Sequence, residues 1–426
     1  MNLAAMIGIM MLAMMRAPIF IVIATAALYG FYQQEIHLSV VAVEIYRITE
    51  TPVLLALPLF SFAGYLLAAT RASERLLRLS RALLGWLPAG LPVIAFFTCA
   101  LFTALTGASG VTIVAIGALL YPALLQSGYE QRFSLGLVTA SGSLGLLLAP
   151  SMPLILYGVV VQQMDLPISL DLSDLFLAGL APALLMILLL SLWSAWSTRG
   201  QPRLITPFST MELKAALWEA RAELPLPLVV LGGIYSGLIS ISEAAAVAAL
   251  YVLVVEVFFY RELPLRTLPK VLIQSSILVG EIILILALSL AFSNVLIDAE
   301  IPIKTFELIR SQVDNQITFL LLLNGLLLLL GAFLDIFSAI VIMVPLLLPL
   351  ALAYDIHPIH LGIIFLANMQ LGYFTPPVGI NLFIASARFK QPITTLYRAS
   401  LPFFIVLLIS VLIITYIPAL SMTWIE

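Results

Sequence analysis

The sequence carries little charge: 10% of its 426 residues are Asp, Glu, Lys or Arg, against 62% hydrophobic. No soluble domain keeps that ratio in water, so the chain is read as an integral membrane protein in a lipid bilayer. The one cysteine, Cys99, excludes an internal disulfide and, inside an apolar run, reads as a packing residue. Of the 3 histidines, His357 and His360 fall in a loop without a third ligand nearby, so no transition metal is expected. No basic patch suggests nucleic acid. Neither paired aspartates nor an HExxH pattern occurs inside a span, which argues against an intramembrane enzyme. A basic leader and a small-residue cleavage site are also missing, so the first apolar segment is expected to be retained.

What is there is long runs of Leu, Ile and Ala, well beyond the short alternating strands of an outer-membrane barrel. The predicted class is therefore all-α and polytopic. Two of these runs are interrupted. Leu371–Phe383 contains Pro376 and Pro377, which remove backbone donors and open a crossing helix. Leu148–Gly158 does the same with Pro150 and Pro153 around Ser151. Freed carbonyls at bilayer depth are tolerated only when buried in protein or lining a cavity. Each break follows a Gly-containing apolar segment long enough to enter the membrane and turn back, Leu91–Leu125 with TGASG and Phe319–Leu352 with GAFLD. Gly107 precedes Pro150 by nearly the same separation as Gly331 precedes Pro376. Paired interruptions in two hydrophobic halves point to the binding site of a secondary transporter.

Charge sets the expected topology, because basic loops stay in the cytoplasm. Arg71, Arg75, Arg78 and Arg81 form a basic loop after the span Pro52–Ala69, and an interfacial helix is expected over Ile36–Thr49. Arg199, Arg203, Lys214 and Arg221 make the centre basic, whereas the loop of Asp165, Asp171 and Asp174 is acidic and external. Arg261, Arg266 and Lys270 are again cytoplasmic, as are Arg388, Lys390 and Arg398. The Asp298–Asn315 loop, where Lys304 and Arg310 are offset by Glu300, Glu307 and Asp314, is external. The order of short pair, span, hairpin, broken span and span thus occurs twice with opposite orientation. The expected units are 1–200, with a hairpin near 91–125 and a broken helix near 133–161; a linker helix in 201–223; and 224–426, with a hairpin near 319–352 and a broken helix near 359–387. By symmetry residues 3–30 form a short pair with Arg16 cytoplasmic and Met1 outside; a single tilted helix of about 28 residues is the alternative.

The ordered set PLFSFAG (Pro58–Gly64), AIG (Ala115–Gly117), SGY (Ser127–Tyr129), EAAAVAALY from Glu243, and above all TPPVGINLF (Thr375–Phe383) resembles the large membrane subunit of tripartite ATP-independent periplasmic (TRAP) transporters. The likeness runs through almost the whole chain. It implies a multi-pass inner-membrane secondary importer of organic anions, typically carboxylates or sialic acids, driven by sodium. It also implies a periplasmic binding protein that delivers substrate, a small four-helix membrane subunit as a separate polypeptide, and elevator movement of hairpins and broken helices. Two positions depart from the family pattern: Ala108 stands where a tip serine is common, and Ala149 where a leading proline is common.

Given that resemblance, each tip and its break form a candidate sodium site, since a hard cation prefers oxygen ligands and unwound carbonyls supply them. The first comprises Thr106, Gly107, Ser109, Pro150 and Ser151; the second comprises Gly331, Asp335, Thr375, Pro376 and Gly379, with Asn381 beside it. The substrate carboxylate is expected between Ser109 and the Thr375–Asn381 break. Each hydroxyl has an ordinary alternative, bonding to the preceding turn, and Asp335 has one as a helix cap. Glu281 and Glu243 read as facing partners or interfacial water. The competing function is a self-sufficient sodium-coupled dicarboxylate or anion carrier of the same inverted-repeat design.

Overall fold

The computed structural model describes all residues except 1–7, 10, 13, 14, 16, 87–89, 165–169, 200–207, 302, 303, 305, 306, 308–312, 314 and 426. Met1, Arg16, Asp165, Arg203, Arg310 and Asp314 therefore lie outside the described residues, and with them the choice between a short pair and one helix at the start. The described residues are helical with no strand, and nine of their helices are long and apolar enough to cross a membrane. A helix satisfies its own backbone within the segment, which is what a Leu- and Ile-rich chain with few side-chain donors requires in lipid.

Both hairpins form. Hairpin 1 consists of Gly90–Thr106 and Ser109–Gln126, turning at Gly107 and Ala108. Hairpin 2 consists of Gln316–Phe333 and Ile336–Ala353, turning at Leu334 and Asp335. Gly107 makes its turn with φ +65°, which favours glycine, and a Cβ there would lie 2.5 Å from the Met152 side chain of the first break, which would have to shift. Both breaks form too. The first broken helix runs Gln131–Ser141, a 3₁₀ turn Leu144–Leu147, then Met152–Gln162; the second runs Pro358–Gly372, then Ile380–Phe389. Cis peptide bonds occur at Ala149–Pro150 and Pro376–Pro377.

Around these elements stand Ala56–Ala69, Leu172–Ser197, Ile241–Leu253, Ile393–Tyr416 and the 31-residue helix Leu268–Asp298. At about 1.5 Å per residue the last is about 46 Å long, more than the ~30 Å hydrocarbon core, so it crosses with tilt and reaches beyond it. It packs against Ile19–Gln33, Ala56–Ala69 and the second arm of hairpin 2. Ser39–Thr49 is the expected helix after Ile36.

One expectation is corrected. Arg71–Arg81 is not a loop: Arg71 precedes an amphipathic helix, Ala72–Leu84, and Arg81 lies in its last turn. Arginines at 71, 75, 78 and 81 recur at helical spacing and share a face, a signal hidden by their charge density. Arg75 is only 4% exposed and pairs with Glu223, Glu256 and Glu262, while its guanidinium lies 4.1 Å from the Tyr260 ring centre. Burial opposes its charge, but the glutamates override that and hold the guanidinium above its usual range. Arg78 pairs with Glu212 and Glu219 of the linker helix Thr210–Glu219, and that hydrogen bond holds the Glu212 carboxyl below its usual range. The central connection is thus clamped to the first half through this arginine face.

The remaining singled-out residues have structural partners. His357 accepts from the Ile359 amide at the start of Pro358–Gly372, and His360 contacts Ser421 Oγ at 2.6 Å and the Thr415 carbonyl at 3.2 Å. Glu243 forms a capping box with Ser240. Cys99 is buried and receives a hydrogen bond from Ser141.

Candidate functional site

The tip of hairpin 1 is tied to the first break. Thr103 Oγ1 lies 2.7 Å from Thr112 Oγ1 on the other arm, and 2.8 Å from the Gly142 carbonyl that it can donate to. Thr106 is fully buried and its hydroxyl has no partner among the described residues. Ser151 donates to the Leu146 carbonyl at 2.6 Å, so its hydroxyl proton is engaged within the break itself. Gly107 abuts Met152, which brings Thr106, Gly107 and Ser109 up against the segment containing Pro150 and Ser151.

Hairpin 2 meets the second break in the corresponding way. A Cβ on Gly372 would lie 2.4 Å from the Gly331 backbone, so the two helices cross with no side chain between them. The Tyr373 hydroxyl accepts from the Ile336 amide at 3.1 Å, and the Gly379 amide reaches the Ala332 carbonyl at 3.4 Å. Asp335 caps the second arm, accepting from the Phe337 and Ser338 amides at 3.0 Å each and from the Ser338 hydroxyl. Thr375 donates to the Leu371 carbonyl at 2.7 Å. The ordinary alternatives for Asp335 and Thr375 are therefore both realised, and each keeps lone pairs that a cation can use.

The two tip-and-break pairs touch each other. Ser109 donates to Asn381 Oδ1 at 2.8 Å, and Ser143 of the first break donates to the Gln370 carbonyl at 3.3 Å. Between the tips lies a cavity of about 250 Å³. Gly107, Ser109 and Gly110 form one side of it, Asp335, Phe337 and Tyr373 another, and Glu281 of Leu268–Asp298 a third. Glu281 was read from the sequence as facing partners or interfacial water; its position at mid-span was the signal that it mattered, because a carboxylate there is costly without an aqueous or ligand-filled neighbour. Tyr373 and Phe337 carry no sequence signal of their own. A larger cavity, about 620 Å³, lies between the arginine helix, hairpin 1 and the linker helix, and neither tip nor break lines it.

The chain matches the family described as "Tripartite ATP-independent periplasmic transporter, DctM component" over residues 5–420. It is 36% identical over 383 residues to the C4-dicarboxylate TRAP transporter large permease protein DctM of Pseudomonas aeruginosa, covering 89% of this chain and 88% of that one. It is also 36% identical over 371 residues to the isethionate TRAP transporter permease protein DctMQ of Oleidesulfovibrio alaskensis, covering 87% of this chain but 57% of that longer protein. The fold is similar to that of the Alcanivorax borkumensis YdaH transporter, with a TM-score of 0.61 at 15% identity over 88% of this chain and 86% of that one.

Proposed function

The chain belongs to the DctM family of tripartite ATP-independent periplasmic transporters, a multi-pass inner-membrane permease rather than a catalyst, and from that premise we propose that it is the large transmembrane subunit of a sodium-coupled importer of small organic acids. A periplasmic binding protein delivers the substrate and a small four-helix membrane subunit completes the membrane part. The observation that supports this most is the convergence of both hairpin tips and the second broken helix on one cavity of about 250 Å³, with the first break packed behind the tip of hairpin 1.

The side chains suit the task. Both tips present oxygen ligands, and the fully buried Thr106 hydroxyl lacks a partner among the described residues, as a ligand of a hard cation would. Sodium, when bound, supplies positive charge beside an anionic substrate in a low-dielectric site. Thr106, Gly107, Ser109, Pro150 and Ser151 would hold one ion; Gly331, Asp335, Thr375, Pro376 and Gly379 would hold the other, with Asn381 linking the two through Ser109. The two halves form an inverted repeat, and the hairpins with their broken helices move as one body in an elevator cycle.

The test is uptake in proteoliposomes containing this chain and its small subunit, with and without the binding protein, across an imposed sodium gradient. Uptake should require both partners and the gradient. Robust uptake by this chain alone would instead favour a self-sufficient sodium-coupled dicarboxylate or anion carrier, and uptake indifferent to sodium would remove the coupling.

A further inference from the structure

Among the described residues the tip cavity is lined by two carboxylates, Glu281 and Asp335, and by no Lys, Arg or His. Asp335 is engaged as the cap of hairpin 2, and the proposed function assigns it to the coupling ion. Glu281 differs: it lies near the middle of Leu268–Asp298, is exposed to the cavity, and makes no hydrogen bond or ion pair with any described residue. A free carboxylate at that depth is expensive unless something in the cavity answers its charge.

The opposite wall has the reverse character. Ser109–Gln126 begins without a side-chain cap, so its first amides present partial positive charge toward the cavity residues Ser109 and Gly110. The other hairpin's second arm has its amides satisfied by Asp335. Beside the uncapped end, Asn381 is 0% exposed and its Nδ2 has no acceptor among the described residues, while its Oδ1 is held by Ser109. A buried amide donor without a partner is unfavourable until an acceptor arrives.

We propose that the transported acid also carries a positive group, so that its acid end meets the uncapped tip of hairpin 1 and its cationic end meets Glu281. This rests on the transport reading and sharpens its substrate class to zwitterions, such as ammonium or amidinium carboxylates and sulfonates. A dianion would place like charges together across a cavity of low dielectric constant.

Matched ligand pairs isolate the cationic group. Taurine against isethionate, and 4-aminobutyrate against 4-hydroxybutyrate, differ only in an ammonium in place of a hydroxyl; succinate serves as the dianion. Thermal stabilisation of the purified full chain in sodium gives a half-maximal concentration for each. The ammonium member should act at about 10-fold lower concentration or better, as expected for a charge-assisted contact, and Glu281→Gln should abolish that preference while leaving the unliganded melting temperature in place. Preference for isethionate, 4-hydroxybutyrate or succinate in the wild type overturns the proposal. An ammonium preference that survives intact in Glu281→Gln also overturns it, since the cationic end would then be held by some other group. Loss of sodium-driven, partner-dependent uptake is a separate readout that would sink the transport reading itself.

Discussion

Ser109 and Asn381 are joined by a 2.8 Å hydrogen bond that connects the tip of hairpin 1 to the second segment of the opposite broken helix. This contact makes the two candidate ion sites one connected unit. Asn381 is fully buried and its Nδ2 already lacks a partner among the described residues, so Ser109→Ala would leave both ends of its side-chain amide unpaired there. The expected loss is about 1–3 kcal/mol of stability, with Ser109→Thr milder because the hydroxyl remains. Unfolding of the purified chain in detergent measures it, and an unchanged midpoint in Ser109→Ala would contradict the contact.

The arginine cluster yields a second test. Arg75 bridges Glu223, Glu256 and Glu262, and Glu256 is 0% exposed. Arg75→Met should cost about 3–5 kcal/mol, because removing one partner leaves buried charge uncompensated. Arg75→Lys should rescue little, since a single ammonium cannot reproduce a fork spread over three carboxylates. Adding Glu256→Gln to Arg75→Met should restore part of the loss. Simple additivity of the two, within about 0.5 kcal/mol, would mean that they do not share a network.

Glycine-to-alanine changes should have opposite signs in the two helices that meet at the second break. At Gly372 a Cβ meets the Gly331 backbone at 2.4 Å, which cannot yield, so Gly372→Ala should destabilise and part hairpin 2 from the break. At Gly325 nothing lies within 4 Å, so Gly325→Ala should be neutral or stabilising by up to about 1 kcal/mol through helix propensity. Melting temperatures of the two variants provide the comparison. Stabilisation by both would place the close crossing in doubt.

Sidedness is tested by labelling. In a Cys99→Ala background, cysteine at Asp171 should react with an impermeant maleimide on intact cells and cysteine at Arg81 should not. The reverse pattern would invert the charge-based topology, and labelling of both would break the proposed opposition of the two halves.

The hairpins and breaks were legible because proline and glycine act locally: Pro150 and Pro376 remove donors wherever they stand, and Gly107 marks a turn in any context. The arginine helix was misread because charge density masks periodicity, although 71, 75, 78 and 81 are helically spaced. The Ser109–Asn381 bond and the position of Glu281 on the cavity depend on how distant segments dock. Tyr373 and Phe337 look like any other aromatic in an apolar run, and only packing distinguishes them.

The role of Asp335 can be separated from its cap. Asp335 holds the Phe337 and Ser338 amides at 3.0 Å, a task Asn performs about as well as Asp. Asp335→Asn therefore keeps the tip folded while removing its charge. If the carboxylate is also a sodium ligand, half-saturating sodium for uptake should rise by about 10- to 150-fold, the equivalent of about 1.5–3 kcal/mol. Thr375→Val should shift it less, because that hydroxyl is neutral and already donates to Leu371. Replacing Pro376 and Pro377 by Ala should restore helical bonds and withdraw the carbonyls a cation needs. Asp335→Ala, which loses cap and charge together, should lower stability as well. Sodium titration in proteoliposomes, alongside the melting temperature of each variant, distinguishes the two roles: a wild-type sodium response in Asp335→Asn at normal expression would leave Asp335 as a helix cap and remove it from the ion site.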